Sequence, residues 1–236
     1  MPVHDHLHPR LSSKVRDALL ELDTCQIANA IETFDVRLRD EGYALPGIRC
    51  LTKANPRMLG YAVPCRVSTD GPPVAGQAYH DRTDWWSLIN SFPEPRIAVL
   101  QDLSEVPGSG SVAGEVHSAI LKALGCVGLI TNGSVRDVPA VGQLGFPLFA
   151  AGYCPSHRYF HLVDFGEAVE INGLKVYPGD LLYGDEQGIV SIPMAIAADI
   201  PAVAARQAVQ EQRVVELCRS PEFSLERLRQ EIDQRG

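Results

Sequence analysis

The chain has 236 residues, enough to bury a full core in one domain, with an apolar fraction of 45% and a charged fraction of 21%. No apolar run approaches membrane-span length, and the polar stretch Met1 to Ser13, with His4, His6 and His8, lacks the apolar core of a secretory signal; a cytoplasmic protein with no membrane partner is expected. A formal charge of −8 spread along the sequence argues against a nucleic-acid groove, which takes clustered Lys and Arg, but leaves small acidic ligands open.

Residues 1–13 are expected to be flexible. Apolar positions then recur at helical spacing up to Phe34 (Val15, Leu19, Leu22, then Ile27, Ala30, Ile31), and Asp23-Thr24 breaks the run where a second helix is capped. Gly60–Thr69 and Arg96–Leu103 read as core strands bounded by turn residues. A loop at Pro107–Ser111 leads to a helix from Gly114, with Val116, Ile120, Leu121 and Leu124 at helical spacing, which stops at Gly125. Cys126–Thr131 follows as a buried strand, so this order predicts a βαβ unit with parallel pairing. A short helix over Val138–Leu144 and a strand over Phe146–Ala151 continue the alternation. From Ala168 the pattern turns to hairpins: Asn172-Gly173 is a type I′ signal, Pro178-Gly179-Asp180 another turn, and Asp185–Gly188 a third before Ile189–Ile192. A long helix over Ala195–Cys218 and a second start at Ser220-Pro221-Glu222, serine capping and proline in the first turn, form a terminal helical arm (195–236) of the kind that packs on a neighbour. The fold class is α/β, with one domain over 1–236.

The six cysteines (25, 50, 65, 126, 154, 218) lie far apart and read as reduced thiols. Cys154, His157 and His161 loosely resemble metal-ligand spacing, but a second cysteine pair is missing and a loop with incidental histidines is the better reading. Gly108-x-Gly110-x-x-x-Gly114 has one residue too many for a dinucleotide fingerprint. The N–H groups of Gly114, Glu115, Val116 and His117, at the start of the following helix, still offer a seat for a carboxylate or phosphate, although an ordinary loop accounts for the glycines equally well.

The sharper signal is Asn132-Gly133-Ser134-Val135-Arg136-Asp137, a turn past the carboxyl end of a buried strand, where ligands bind in α/β sheets. Asp137 is a hard oxygen ligand for Mg²⁺ or Mn²⁺, and Arg136 a permanently charged planar donor for a developing oxyanion, a pairing that suits enolate chemistry. The competing reading is a capping aspartate opening the helix at Val138 beside a solvated arginine, and the residues alone favour it somewhat.

Gly114-Glu115-Val116-His117 through Gly125, Asn132 to Asp137, Leu144-Gly145-Phe146-Pro147-Leu148-Phe149-Ala150, Pro178-Gly179-Asp180 and Gly184-Asp185-Glu186-Gln187-Gly188-Ile189-Val190 together resemble the RraA-like family, in order from about Thr24 to the terminal helix. This family includes the class II 4-hydroxy-4-methyl-2-oxoglutarate aldolases. The resemblance implies a swivelling β/β/α fold with N-terminal helices and a C-terminal helical arm, a homotrimer or homohexamer, and clefts between subunits. It implies that Asp137 contacts a divalent metal (Mg²⁺ or Mn²⁺), that Arg136 steadies the enolate oxygen of pyruvate, that the N–H groups of Gly114 to His117 hold the substrate carboxylate, and that Glu115 lies near the metal waters. Glu211 is the candidate carboxylate from a neighbouring subunit. The implied activity is retro-aldol cleavage of a 4-hydroxy-2-oxo acid, decarboxylation of oxaloacetate, or both, through one pyruvate enolate; the alternative is a non-catalytic protein-binding regulator of a ribonuclease. His117 stands where the family has an apolar residue, Asn29 replaces an aspartate, and Glu186-Gln187 alters an Asp-x-Asp-Gly pattern, departures that bear on substrate identity. His80, Asp81, Asp84 and Trp85-Trp86 form a polar-aromatic segment that could line a pocket, outside the first rank.

Overall fold

The computed structural model describes residues 10–52, 56–71 and 82–233. The N-terminal histidines, His80 and Asp81 lie outside them. The chain opens with α1 (Ser13–Leu20) and α2 (Thr24–Glu32), followed by β1 (Arg49–Cys50), β2 (Met58–Ser68), α3 (Arg82–Ser91) and β3 (Arg96–Asp102). Next come β4 (Ser111–Ala113), α4 (Glu115–Ala123), β5 (Cys126–Thr131), β6 (Ser134–Val135), α5 (Val138–Gln143), β7 (Leu148–Ala150) and β8 (Gly152–Tyr153). The last part holds β9 (His161–Phe165), β10 (Val169–Ile171), β11 (Leu174–Val176), β12 (Leu181–Asp185), β13 (Gly188–Ile192), α6 (Ile200–Arg219) and α7 (Leu225–Asp233).

The main sheet runs β1-β7-β5-β3-β2-β12-β13, parallel through its centre and antiparallel at both edges, with β9 pairing the far half of β2. Its strands carry continuous apolar runs because both faces are covered. On β3, Ala98 and Leu100 pack with the helical layer around Trp85, Leu121 and Val141, while Ile97 and Val99 pack with Val169, Ile171, Leu174 and Val176 of the β10–β11 hairpin. Hairpin, sheet and helices make three layers, the β/β/α arrangement expected. A third cluster seats α1, α2 and α6 on Leu59, Tyr61, Tyr183 and Val190.

Local chemistry explains most boundaries. Asp23 caps α2 with Gln26 in a reciprocal capping box, and Ser12 caps α1. Gly125 (φ +76°) ends α4 in the left-handed region, and Asn172 and Gly173 (φ +45° and +81°) make the type I′ turn. The βαβ unit β3-α4-β5 pairs in parallel. Two boundaries differ from expectation. The terminal helix starts at Ile200 rather than Ala195, because Pro201 is confined to a first turn. Ser220 does not start α7; it ends α6 in an extended conformation, its hydroxyl bonded to the Leu217 carbonyl, and Ser224 caps α7 by accepting from the Arg227 N–H.

No sequence pattern announced a second, small sheet in which β4, β6 and β8 run parallel. Asn132 makes the transfer from β5 into β6. Its amide pairs with the Asp102 backbone at the end of β3, accepting from the N–H at 2.6 Å and donating to the carbonyl at 3.1 Å. The turn carrying Arg136-Asp137 therefore leaves the end of β6, not the end of the long buried strand β5.

Candidate active site

Because β4, β6 and β8 are parallel, their carboxyl ends share one edge, and each releases a segment into the same cleft. β4 releases Gly114 and the start of α4, β6 releases Arg136-Asp137, and β8 releases the loop 154–160. The cleft encloses about 490 Å³ and is lined by all of Gly114, Glu115, Val116, His117, Arg136 and Asp137, with Trp86, Ile120 and residues 157–160 completing the wall.

Gly114 is the N-cap of α4, whose first intrahelical bond is Ser118 N–H to the Gly114 carbonyl at 2.9 Å. A glycine brings no capping side chain, so the first-turn N–H groups look outward for acceptors. One acceptor comes from across the cleft: Asp137 Oδ2 receives the Glu115 N–H at 3.2 Å. Asp137 itself stands at the N-cap of α5, in the left-handed conformation (φ +54°), and makes no side-chain bond to that helix. The competing reading is right that Asp137 takes the N-cap position before Val138, but its carboxylate bonds the first turn of α4 and not that of α5.

Arg136 is locked at both ends. Its N–H donates to the Ala113 carbonyl at 2.9 Å, joining β6 to β4. Its Nε lies 3.5 Å from Asp137 Oδ2 and its Nη1 donates to the Pro155 carbonyl at 3.4 Å, on the third segment. The guanidinium remains over a third exposed, and these two contacts aim it along the cleft wall. Gly114 is what admits this pair, since a Cβ there would fall under 3.0 Å from Asp137 Oδ2 and 3.0 Å from Arg136 Cγ.

The other residues singled out from sequence divide. Glu115 and Val116 are exposed at the mouth. The His117 ring packs edge-on to Trp85 at 5.6 Å between centroids and tilted to Phe160 at 6.1 Å, with Nδ1 3.4 Å from the Val112 carbonyl. Trp85 is wholly buried in the core, Trp86 lines the cleft and Asp84 is exposed. Glu211 is exposed on α6 and absent from the lining of its own chain's cleft. Cys154 donates to the Ser109 and Ser156 carbonyls, while His157 and His161 each meet a different backbone carbonyl, so the three do not converge. Missed from sequence was Arg158, placed in the wall only by the path of β8.

The family model described as RraA-like, Aldolase/RraA, matches residues 24–191. The chain belongs to the RraA-like family. An uncharacterized protein of Methanocaldococcus jannaschii is 30% identical over 179 residues, covering 74% of this chain and 80% of that protein. A Halalkalibacterium halodurans protein, named as a proposed 4-hydroxy-4-methyl-2-oxoglutarate aldolase, is 30% identical over 84 residues, 35% of this chain and 40% of that protein. An uncharacterized protein from Pseudomonas syringae pv. tomato shares the fold over 98% of both chains, with a TM-score of 0.72 at 23% identity. This RraA-like protein has, among its described residues, no helix long and apolar enough to cross a membrane.

Proposed function

We propose that this RraA-like protein is a carbon–carbon lyase for small 2-oxo acids. The observation that carries the reading is the cross-cleft bond from the Glu115 N–H to Asp137, which fixes a carboxylate, a guanidinium and a helix N-terminus around one space. The first-turn N–H groups of α4 receive the substrate carboxylate, aided by the positive end of the helix. Arg136 donates to the keto oxygen as charge develops there, a contact stronger in the transition state than in the ground state.

Among the described residues no three His, Cys, Asp or Glu side chains gather as a metal cage. One chain offers the Asp137 carboxylate, with Glu115 elsewhere in the lining. That donor set fits a hard Mg²⁺ or Mn²⁺ ion that keeps most of its water, and not a zinc-type cage. When bound, such an ion supplies positive charge that offsets the developing enolate. For a 4-hydroxy-2-oxo acid, Glu115 takes the hydroxyl proton through water, the C3–C4 bond breaks, its electron pair passes into the enolate, and protonation at C3 gives pyruvate and a carbonyl product. For oxaloacetate the same bond breaks with loss of CO₂ and no hydroxyl proton. In this reading the working assembly is a trimer or hexamer in which an acidic group of a second copy completes the cleft, with Glu211 our candidate.

Pyruvate release from 4-hydroxy-4-methyl-2-oxoglutarate and from oxaloacetate tests this, with Mg²⁺ and with EDTA, on wild type and Asp137→Ala. The expected result is metal-dependent pyruvate that disappears in a folded variant. No pyruvate from either acid would sink the lyase and leave binding of a ribonuclease, measured directly, as the activity to pursue.

A further inference from the structure

Beyond its charged corner the cleft turns apolar. Arg136, Asp137 and the first turn of α4 make the corner, and the wall past them carries Trp86, Ile120 and Phe160. All three are half-buried, and Trp86 and Phe160 pack by one side on the core cluster that holds Trp85. The polar residues of that wall stand further out: His157, Arg158 and Tyr159 are exposed, and Arg158 gives its Nη1 to Asp70 Oδ1 at 3.1 Å and to Ser109 Oγ. Nε1 of Trp86 is buried and meets no acceptor among the described residues, so the cleft meets the carbon face of the indole and not its N–H. His117, in ring contact with Phe160, likewise keeps Nε2 buried.

Helix α4 sets the spacing between corner and wall. Ile120 lies five residues past Glu115, roughly 7 Å along the axis at about 1.5 Å per residue. A 4-hydroxy-2-oxo acid whose carboxylate sits at the first turn therefore carries its C4 substituent toward Ile120. The cleft volume of about 490 Å³ falls within the roughly 300–1,000 Å³ of sites that enclose ligands larger than pyruvate. Apolar surface left in a cleft gains free energy when an apolar group covers it, and such surface marks ligand grooves. We propose that Trp86, Ile120 and Phe160 form a specificity-determining subsite for an apolar, aryl-sized substituent at C4, so that the preferred substrates release pyruvate and an apolar carbonyl compound such as an aromatic aldehyde. The proposal rests on the reading of the cleft as a 2-oxo acid site. The hydroxyl proton leaves through water, the C3–C4 bond breaks, its electron pair enters the enolate, C3 is protonated, and C4 becomes the carbonyl carbon of the aldehyde. An aryl ring lying on the indole gains stacking beyond the area it buries, whereas a carboxylate against the same three side chains would lose hydration without gaining a donor.

The test compares 4-hydroxy-2-oxo-4-phenylbutanoate with 4-hydroxy-2-oxopentanoate, which share the reacting end and differ in a phenyl against a methyl group at C4. The quantity read is the ratio of their kcat/KM values in wild type, Trp86→Ala, Trp86→Phe and Ile120→Ala. Wild type should prefer the phenyl acid, and Trp86→Ala should lower that preference by about 10- to 50-fold, mainly through KM because the ring is held alike in ground and transition states, with phenylalanine restoring part of it. The ratio is internal to each preparation, so a loss of folded protein lowers both rates and leaves it unchanged. Ile120→Ala, a change that suits a helix, should lower the ratio several-fold and decides the matter if Trp86→Ala does not fold. An unchanged ratio in the folded variants overturns the proposal. Faster cleavage of 4-hydroxy-2-oxoglutarate than of the phenyl acid by wild type also overturns it, and leaves the lyase reading standing. Should wild type cleave none of these acids, calorimetric titration of 2-oxo-4-phenylbutanoate and 2-oxopentanoate, which lack the C4 hydroxyl, decides separately with Mg²⁺ present. Tighter binding of the phenyl acid that Trp86→Ala abolishes keeps the proposal while the lyase reading falls. Equal affinity for the two acids in wild type, a preference that Trp86→Ala leaves intact, or binding of neither overturns the proposal.

Discussion

Gly114→Ala adds one methyl group at the junction of the three segments that make the cleft. The new Cβ would lie under 3.0 Å from Asp137 Oδ2, 3.0 Å from Arg136 Cγ and 3.2 Å from Arg136 Nε, where ordinary contact begins at 3.4 Å. The carboxylate must retreat by roughly half an ångström or more, and the Glu115 N–H bond to it, already 3.2 Å, is broken. Oδ2 belongs to a half-exposed side chain, so losing this bond costs on the order of 1 kcal/mol, and the melting temperature should fall by about 2–4 °C. Catalysis should suffer far more, since a displacement approaching 1 Å costs on the order of 100-fold. Pyruvate-release kinetics beside thermal melts of the same preparations read both quantities. A variant with wild-type kcat/KM would refute the claim that Gly114 sets the Arg136-Asp137 geometry. A melting temperature lowered by about 10 °C or more would show that the glycine mainly serves the fold.

A methyl group added at Gly142, in α5, would meet nothing within 4 Å, so Gly142→Ala should raise the melting temperature by about 2–4 °C and leave pyruvate release unchanged. Arg136→Ala removes the fixed donor and should lower kcat by about 100-fold or more with the fold intact by circular dichroism; normal turnover would end the assignment of Arg136 to the keto oxygen. Arg96, nearly fully buried, donates to the carbonyls of Asn90, Phe92 and Leu124 and so binds the ends of α3 and α4 together. Arg96→Ala should cost about 3 kcal/mol, read as a melting temperature lower by about 10 °C, and a shift under about 2 °C would contradict that role. Burial pushes the Cys65 thiol up, and pushes that of Cys126 from the ordinary 9.0 to about 12. A raised value in the fold means its stabilisation is whole below about pH 9 and declines above it, by about 1 kcal/mol per thiol for each pH unit, so melts between about pH 8 and pH 11 should show a steady alkaline loss.

How much of this was legible follows from the range over which each rule acts. Cys126–Thr131 and the Asn172-Gly173 turn were readable because a buried run and a pair of left-handed residues are fixed by neighbours in sequence. Arg136, Asp137 and the start of α4 were readable as a motif, and the motif also named the family. The small sheet was not readable, because strands of two or three residues carry no period, and Ser111–Ala113, Ser134–Val135 and Gly152–Tyr153 pair only across long sequence separations. Arg158 was hidden for the same reason. Between two histidines and a tyrosine it reads as one more solvated charge, and only the parallel course of β8 beside β6 carries it to the cleft.

That hidden sheet also accounts for the strain at the site. Asp137 is held at φ +54°, a conformation that aspartate tolerates better than most residues but that still costs on the order of 1 kcal/mol. The Arg136 N–H bond to the Ala113 carbonyl, at 2.9 Å, and the Cys154 N–H bond to the Val135 carbonyl, at 3.1 Å, pin the chain on both sides of β6 just before that residue, and α5 begins immediately after it. Caught between a strand end and a helix start, the backbone has one residue in which to reverse direction. Relaxing that residue to an ordinary conformation would swing its carboxylate away from the Glu115 N–H, leave Arg136 with the Pro155 carbonyl but no carboxylate partner, and strip α4 of its only side-chain acceptor among the described residues. The strained conformation is thus the point at which three parallel strand ends become one charged cleft, and the fold maintains it because α4 and the Arg136-Asp137 pair both depend on it.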